Sequence, residues 1–501
     1  MLNHNLYEIL FKNIGKNFNK TAFLTPNQED TNYGDLQNLV NLIFINLIKE
    51  KLLPGDRVCI QTEKSIEVIA LYLACLKLGA IYIPLNSDYS NDELLYFIED
   101  SKPKLFIIDK NNKLKNNTML YKNTNLTYLE SLYQNNNNSD FNLANRDTFK
   151  AKGDDIAAVL YTSGTTGKPK GAMISHQNLS SNCLSLSKIW KFSSNDILLH
   201  ALPVYHVHGL FVAMNCSFLN GSTIIFLQKF EINKIIKYIP SSTVMMGVPT
   251  FYNRLIESEK LNKNLCRNMR VFISGSAPLT LETWTKFFNK TGHKILERYG
   301  MTETGMISSN PYPKDERKPE TVGMPLPNVK VKINKEKNNS NDEIGEILVK
   351  GPNVFLGYWN RENENKKIDF TDDSFFKTGD LGKIDSDGRI SIVGRHKDLI
   401  ITGGLNVYPK EVEDKLNEIH EIKESAVIGI PNKDFGETVI AVVVMEENKS
   451  LTPDRIQDII GSKLARFKIP KKIIFLEELP RNIMGKVQKN SLRNIYKNTK
   501  L

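Results

Sequence analysis

Residues 156 to 189 constrain the fold of this chain more than any other stretch. Ile156-Ala157-Ala158-Val159-Leu160 is an unbroken apolar run that predicts a buried strand, and Ser175 to Ile189 has the mixed pattern of a helix. Between them runs Tyr161-Thr162-Ser163-Gly164-Thr165-Thr166-Gly167-Lys168-Pro169-Lys170-Gly171. Glycines let a backbone approach an anion and turn its N–H groups inward, hydroxyls add donors, and lysines supply positive charge. A strand, a glycine-rich turn and a helix therefore make a phosphate site, and the composition of the turn favours ATP. It is not a Walker loop, because counting from Gly164 puts Pro169 where the second glycine belongs. A solvated linker can share this composition, but not the apolar flank before it.

The same alternation extends through the first three quarters of the chain. Arg57-Val58-Cys59-Ile60 precedes a helical stretch from Ser65 to Leu78, followed by apolar runs at Ala80 to Pro84 and Leu105-Phe106-Ile107-Ile108. Residues 110 to 150 are polar and include Asn135 to Asn138, which predicts a mobile surface insertion outside the core. From Val329 to Val393 the pattern changes to short strands with turn signals such as Asp385-Ser386-Asp387-Gly388. Gly394-Arg395-His396-Lys397-Asp398 then separates a compact remainder, Leu399 to Leu501. At 501 residues, 41% of them hydrophobic, the chain is too long for one core and apolar enough for several.

Composition narrows the class further. The net charge of +10 is spread over lysines and arginines scattered among asparagines, with no arginine-rich helix or basic–aromatic stripe, so nucleic acid is not an expected partner. Cysteines 59, 75, 183, 216 and 266 are widely spaced and form no CxxC pair, which predicts reduced thiols and a cytoplasmic protein. His206 and His208 stand two apart without cysteines, a weak metal signal. Met1 to Lys20 reads as an amphipathic helix, and the longest apolar runs, such as Val439 to Met445, are strand-sized, so no membrane association is expected. The oligomeric state is not legible.

The Tyr161–Gly171 segment resembles the phosphate-loop signature of the adenylate-forming superfamily, which comprises acyl-CoA synthetases, adenylation domains and luciferases. Four further motifs follow in that family's order. They are Arg298-Tyr299-Gly300-Met301-Thr302-Glu303, Thr378-Gly379-Asp380, Gly394-Arg395 with Asp398, and Pro480-Arg481-Asn482-Ile483-Met484-Gly485-Lys486. The resemblance implies an α/β fold with a large N-terminal domain of two α/β subdomains plus a β-barrel-like subdomain, over residues 1–395. A hinge at 396–398, with Lys397 at its centre, would lead to a small, mobile α+β lid at 399–501. On sequence alone, Lys397 is a polar residue in a turn.

The chemistry the family performs sets what the residues must do. A carboxylate does not react with a thiol in water, because hydroxide is a poor leaving group. Attack of the carboxylate on the α-phosphorus of ATP gives an acyl-adenylate and pyrophosphate, and a thiol then displaces AMP. Such a site needs cations and metal more than a general base. By resemblance, Thr162, Ser163, Gly164, Thr165, Thr166, Gly167, Lys168, Pro169 and Lys170 wrap the phosphates. Tyr299, Gly300 and Met301 join the nucleotide site, Thr302 meets the α-phosphate and Glu303 holds Mg²⁺. Ser276, Ala277 and Pro278 wall the adenine side, while Asp380, with Arg395 beside it, accepts the ribose hydroxyls. Lys486 is the cation that carries adenylation, and Gly403 and Gly404 line the channel for the pantetheine arm of coenzyme A. Read without the resemblance, Lys486 is a solvated lysine, Glu303 a helix-start glutamate, Asp380 a turn residue and Gly403-Gly404 a tight turn.

Two segments bear on the acid. Leu202-Pro203-Val204-Tyr205-His206-Val207-His208-Gly209-Leu210-Phe211, taken with Arg298 and the Lys486 motif, resembles the malonyl-CoA synthetases, whereas many relatives carry an uncharged residue at the Arg298 position. A small dicarboxylate keeps one carboxylate free after activation, and burying that charge requires a cationic partner, which Arg298 can supply. His206, expected to act with Thr302 and Lys486, gates the carboxylate pocket, and His208 and Arg254 are further candidates to support the acid. Each of these also reads as a structural histidine or a surface ion-pair residue. The implied reaction joins malonate or methylmalonate to coenzyme A. Other short or medium-chain acids, or delivery to a carrier protein, stay open. Glu362 departs from the family pattern, which commonly has proline there.

Overall fold

The computed structural model describes residues 3–12, 18–26, 28–112, 124–134, 147–162, 169–335, 343–361, 369–432, 435–482 and 485–499. Ser163 to Lys168, Asn135 to Asn138, Glu362, Ile483 and Met484 lie outside them. Four sheets organise the chain. The first has six strands in the order Asn125–Tyr128, Leu105–Ile108, Arg57–Gln61, Ile81–Pro84, Ile156–Thr162 and Lys170–Ser175, parallel except for the last pair. The second has nine strands, with parallel pairing from Thr21–Leu24 through Thr223–Phe226, Ile197–His200, Val244–Gly247 and Val271–Ser274 to Leu296–Met301. Parallel strands buried on both faces read as continuous apolar runs, which is how these strands stand out in the sequence.

Two expectations need correction. A strand stands between the glycine-rich turn and the expected helix: Lys170–Ser175 pairs antiparallel with Ile156–Thr162, and Thr162 faces Lys170 at the hairpin's end. The cause is the apolar run Gly171-Ala172-Met173-Ile174, which is buried in the sheet. The helix expected over Ser175 to Ile189 is present as His176–Ile189, with Ser175 and Asn178 forming its capping box. Nor is residues 110–150 wholly an insertion. Asn125–Tyr128 adds an edge strand, and Leu129 and Leu132 are buried because they are the apolar positions in that polar stretch. The N-terminal helix is short, Leu6–Phe11, and docks Leu6, Tyr7 and Leu10 into the core.

The β-rich segment is a four-stranded antiparallel meander of Lys330–Asn334, Gly345–Lys350, Phe376–Ile384 and Ile390–Arg395. A single 3₁₀ turn, His396–Asp398, leads from its last strand into the final sheet. That sheet pairs Leu405–Val407, Ile400–Thr402, Gly436–Met445 and Ile422–Asn432, with Lys472–Phe475 added parallel. Its period of two sends Val427, Ala441 and Val443 to one face, against the helices Pro409–Asn417 and Pro453–Gly461. Ala426, Ile428, Ile440 and Val442 go to the other, where Leu492 of Lys489–Tyr496 covers them. Among the described residues no helix is long and apolar enough to cross a membrane.

Candidate functional site

Strand register builds the first part of the site. Asp380 faces Arg395 across the meander, and their side chains pair, Arg395 Nε to Asp380 Oδ1, at 2.8 Å. Tyr299, from the end of the nine-stranded sheet's strand Leu296–Met301, donates its hydroxyl to Asp380 Oδ2 at 2.6 Å. Gly379 just before it has φ +69, a left-handed turn that costs glycine little, and Thr378 Oγ1 accepts from the Asp380 N–H. Each Asp380 oxygen keeps lone pairs for further donors.

Lys486 reaches this cluster from the last domain. Its N–H donates to Asn482 Oδ1 and its carbonyl accepts from the Asn482 N–H, closing a tight loop around Gly485. Gly485 has φ +74, and a Cβ there would stand 3.0 Å from the Thr250 side chain of the helix Pro249–Glu257, so the loop seats directly on the N-terminal domain. Burial pulls the Lys486 ammonium down to about 8, with Arg395 and Lys397 adding to the shift and Asp380 and Asp398 opposing it. Lys397 is itself lowered by burial and by Arg395, and its neighbour Asp398 pairs with Arg493 at 2.8 Å.

Beside the phosphate hairpin lies Glu303. It is buried, and its Oε1 accepts from the Tyr358 hydroxyl at 2.9 Å and from Thr162 Oγ1 at 3.3 Å. Burial raises its carboxyl, against which the Tyr358 hydrogen bond and Arg395 act. Lys170 lies 5.0 Å from the centre of the Tyr358 ring. Among the described residues no group of three or more His, Cys, Asp or Glu could hold a metal alone. A single buried carboxylate at the mouth of a phosphate loop fits Mg²⁺ shared with phosphate oxygens, since that ion keeps most of its coordination for water and phosphate. Gly300 and Met301 pair with Met306 and Gly305 in a hairpin so close that a Cβ on Gly300 would lie 2.1 Å from the Gly305 carbonyl, and Thr302 is half-buried in its turn.

The third part is a cationic pocket. Arg298 is 3% exposed, and among the described residues its Nε and Nη2 have no hydrogen-bond partner. The guanidinium lies against the backbone of Gly275, where a Cβ would come 2.4 Å from its Cζ. Burial pulls it down to about 9, and the nearby Tyr252 opposes that shift. His208, also 3% exposed, approaches Ser276 Oγ through Nδ1 at 3.2 Å, and its Nε2 has no partner among the described residues. Burial, followed by Arg298, holds this imidazole well below its usual range, hence neutral. Ser276 sits at φ +72, a strained backbone for a serine and the sort of cost that functional sites retain. His206 is half-buried against Tyr205, ring centroids 4.7 Å apart, and burial takes it down to about 4.

Other sequence candidates are not drawn into these clusters. Arg254 is exposed on its helix with its guanidinium 6.0 Å from the Phe230 ring centre, and no hydrogen bond or ion pair joins it to Arg298 or His208 among the described residues. Ala277 is half-buried and Pro278 exposed, in the loop after Val271–Ser274. Gly403 and Gly404 form an exposed left-handed turn in the hairpin of the last domain, with Gly403 N–H donating to the Phe435 carbonyl at 2.8 Å. Residues that sequence reasoning missed are Tyr358, Tyr252, Gly275, Lys64 and His200. Tyr358 lies within the Gly357-Tyr358-Trp359 segment, Gly275 directly precedes Ser276, and Tyr252 lies two residues before Arg254.

The chain matches the family model for AMP-binding enzymes over residues 10–359 and that for the AMP-binding enzyme C-terminal domain over 411–486. Malonate–CoA ligase of Arabidopsis thaliana is 36% identical over 482 residues, covering 89% of this chain and 79% of that protein. The mitochondrial malonate–CoA ligase ACSF3 of Mus musculus is 33% identical, with 88% and 82% covered. The crystal structure of ATP-bound MatB from Rhodopseudomonas palustris is 44% identical and superposes with a TM-score of 0.94 over 99% of each chain. Apo MatB from the same organism, equally identical in sequence, superposes with a TM-score of 0.83. From these matches, and from a fold that gathers the ordered motifs around Asp380, Glu303 and Arg298, the chain belongs to the AMP-binding, adenylate-forming enzyme family.

Proposed function

We propose that this protein is an ATP-dependent, AMP-forming ligase that joins malonate to coenzyme A through an acyl-adenylate. The observation that carries the reading is the Arg298 guanidinium, buried with two of its nitrogens unpaired. A buried cation without a partner is costly, and a carboxylate that accepts from both nitrogens removes that cost. Malonate offers such a group one methylene away from the carboxylate to be activated. His208 Nε2 stands ready as a second polar contact.

The steps follow from the residues around that pocket. Arg298 holds one carboxylate, and the other attacks the α-phosphorus, breaking its bond to the pyrophosphate oxygen. Lys486 draws the two anions together and steadies the charge that builds on the α-phosphate, with Thr302 donating beside it. Asp380, aimed by Arg395 and Tyr299, fixes the ribose. Ser276, Ala277 and Pro278 flank the base, and Thr162 to Lys170 wrap the outer phosphates. Glu303, oriented by Tyr358 and Thr162, would hold Mg²⁺, which neutralises phosphate charge when bound. The neutral His206 lines the entry of the acid. Rotation about Lys397 then withdraws Lys486 and brings Gly403 and Gly404 to the pantetheine arm, whose sulfur attacks the acyl carbon and releases AMP.

Purified protein with ATP, Mg²⁺ and coenzyme A is offered malonate, methylmalonate, succinate, acetate and hexanoate, and AMP and thioester are measured together. Malonyl thioester formed one for one with AMP is the expected result. ADP in place of AMP, or preference for acetate or hexanoate, overturns the reading. A cytoplasmic setting belongs to this proposal, supported by five free cysteines, all buried. Enrichment of the native protein in an organelle fraction would refute it.

A further inference from the structure

Behind the acid pocket lies a second polar cluster that neither the motifs nor the chemistry above uses. Lys64 follows the strand Arg57–Gln61 of the six-stranded sheet, yet its ammonium reaches across to the nine-stranded one. Its Nζ lies 2.9 Å from His200 Nδ1, 2.9 Å from the Leu202 carbonyl and 2.6 Å from the Leu227 carbonyl, with the Phe226 ring centre 4.4 Å away. No carboxylate pairs with it among the described residues. His200 is 1% exposed, and its other nitrogen, Nε2, lies 3.0 Å from the carbonyl of Gly209.

Counting donors fixes the protonation states. A carbonyl only accepts, so Nε2 of His200 carries the proton. The unprotonated Nδ1 of a neutral imidazole then only accepts, so Lys64 donates to it. With the His200 carbonyl at 3.4 Å as a fourth acceptor around Nζ, these partners call for the three N–H bonds that an ammonium has and an amine lacks. Burial and the adjacent Lys64 keep His200 neutral. Burial also pulls Lys64 down, while acceptors and an aromatic face favour the charged form of an amine in general.

What the cluster grips is the turn that carries the acid-pocket histidines. Gly209 is the second residue of a π-helical segment, His208–Met214, an uncommon geometry that concentrates at functional sites. Its backbone is pressed against Pro203, whose oxygen a Cβ on Gly209 would meet at 2.0 Å. His200 and Arg298 both act electrostatically on His208, which places all three groups in one neighbourhood.

We propose that Lys64 and His200 form a positioning relay for the acid pocket. Lys64 fixes His200 as the Nε2–H tautomer, and that N–H holds the Gly209 carbonyl so that His208 stays beside Arg298. The relay rests on the acid-binding reading above, but its first half concerns the protein alone. The cluster spans the two N-terminal sheets, so it also ties the pocket to the body that carries the phosphate hairpin.

The test uses the full chain labelled with ¹⁵N-histidine, together with steady-state kinetics of wild type, Lys64→Met, His200→Leu and His200→Gln. In the wild-type spectrum His200 is expected as the Nε2–H tautomer with a hydrogen-bonded Nδ1, and in Lys64→Met that Nδ1 signature is lost. KM for malonate is expected to rise about tenfold in Lys64→Met and His200→Leu while KM for ATP stays within about twofold, because only the acid pocket loses its alignment. His200→Gln, whose amide can both accept from Lys64 and donate to Gly209, recovers most of the loss. A wild-type His200 protonated on Nδ1 overturns the relay whether or not the variants fold. So do equal losses for malonate and ATP, or a glutamine variant no better than leucine. If the wild type ligates a different acid, the substrate reading fails, and the tautomer measurement and the same kinetics with that acid still decide the relay.

Discussion

Arg298 and Lys486 are both cations drawn below their ordinary ranges by burial, but they differ in what relieves them. Lys486 has Asp380 and Asp398 nearby, whereas Arg298 meets no carboxylate among the described residues and depends on a ligand. Arg298→Leu is therefore expected to lower kcat/KM for malonate by about a hundredfold or more, the scale of a lost buried charge pair, and to leave acetate turnover within a few-fold. Equal losses for both acids would show that Arg298 supports the fold instead. For Lys486 the sign of the pH dependence follows from its role as a cation. With a value near 8 in the free enzyme, the charged form predominates below pH 8 and is lost above it, so kcat/KM for adenylation should fall on that side. Lys486→Arg should move the fall to higher pH, and Lys486→Ala should abolish pyrophosphate release while sparing thiolysis of a supplied adenylate. Pyrophosphate-release assays across pH 6 to 10 read both. Asp380 and Glu303 can be singled out in the sequence because each sits in a short contiguous motif. The partners that aim them, Tyr299 and Tyr358, come from elsewhere, and no local pattern announces a tyrosine hydroxyl 81 residues away in sequence, as in the Tyr299–Asp380 bond.

Elements show where periodicity succeeds and where it fails. The strands at Arg57–Gln61 and Leu105–Ile108 and the helix Ile66–Leu78 are legible because buried parallel strands and a helix with Ser65 at its cap write themselves as apolar runs and stops. Lys170–Ser175 is missed because its first residues read as the tail of the glycine-rich turn, and only pairing with Ile156–Thr162 declares it a strand. Asn125–Tyr128 is missed because an edge strand half-covered by solvent needs few apolar residues. The π-helical segment His208–Met214 has no sequence signature at all. Its steric demand can be probed: Gly209→Ala should lower stability by about 1–3 kcal/mol, since backbone must move to admit the methyl, and thermal unfolding with and without ATP measures it. An unchanged midpoint would mean that the Pro203–Gly209 contact is looser than the structure shows.

The whole molecule joins two α/β sheets to a last sheet, and the two half-reactions proposed above require that last part to travel. The sequence marks the joint through Gly394-Arg395-His396-Lys397-Asp398, and the structure places a single 3₁₀ turn there between two sheets. Freezing that turn should separate the half-reactions. Lys397→Pro is expected to leave adenylate formation within a few-fold of wild type and to slow thioester formation by about tenfold or more, with single-turnover measurements resolving the two. Comparable slowing of both steps would show that the turn does not serve as the pivot. How the domains sit relative to each other is not written in any motif, because the contact of Gly485 with Thr250 joins residues that neither composition nor spacing relates.

The apolar clusters on the two faces of the last sheet contain no residue before Ile400. The last part of the chain thus carries its own interior. A segment so self-sufficient is a natural cassette: exchanged at the joint for the equivalent piece of a relative, it should still fold, and the hybrid would keep the acid preference of whichever protein supplied the larger body.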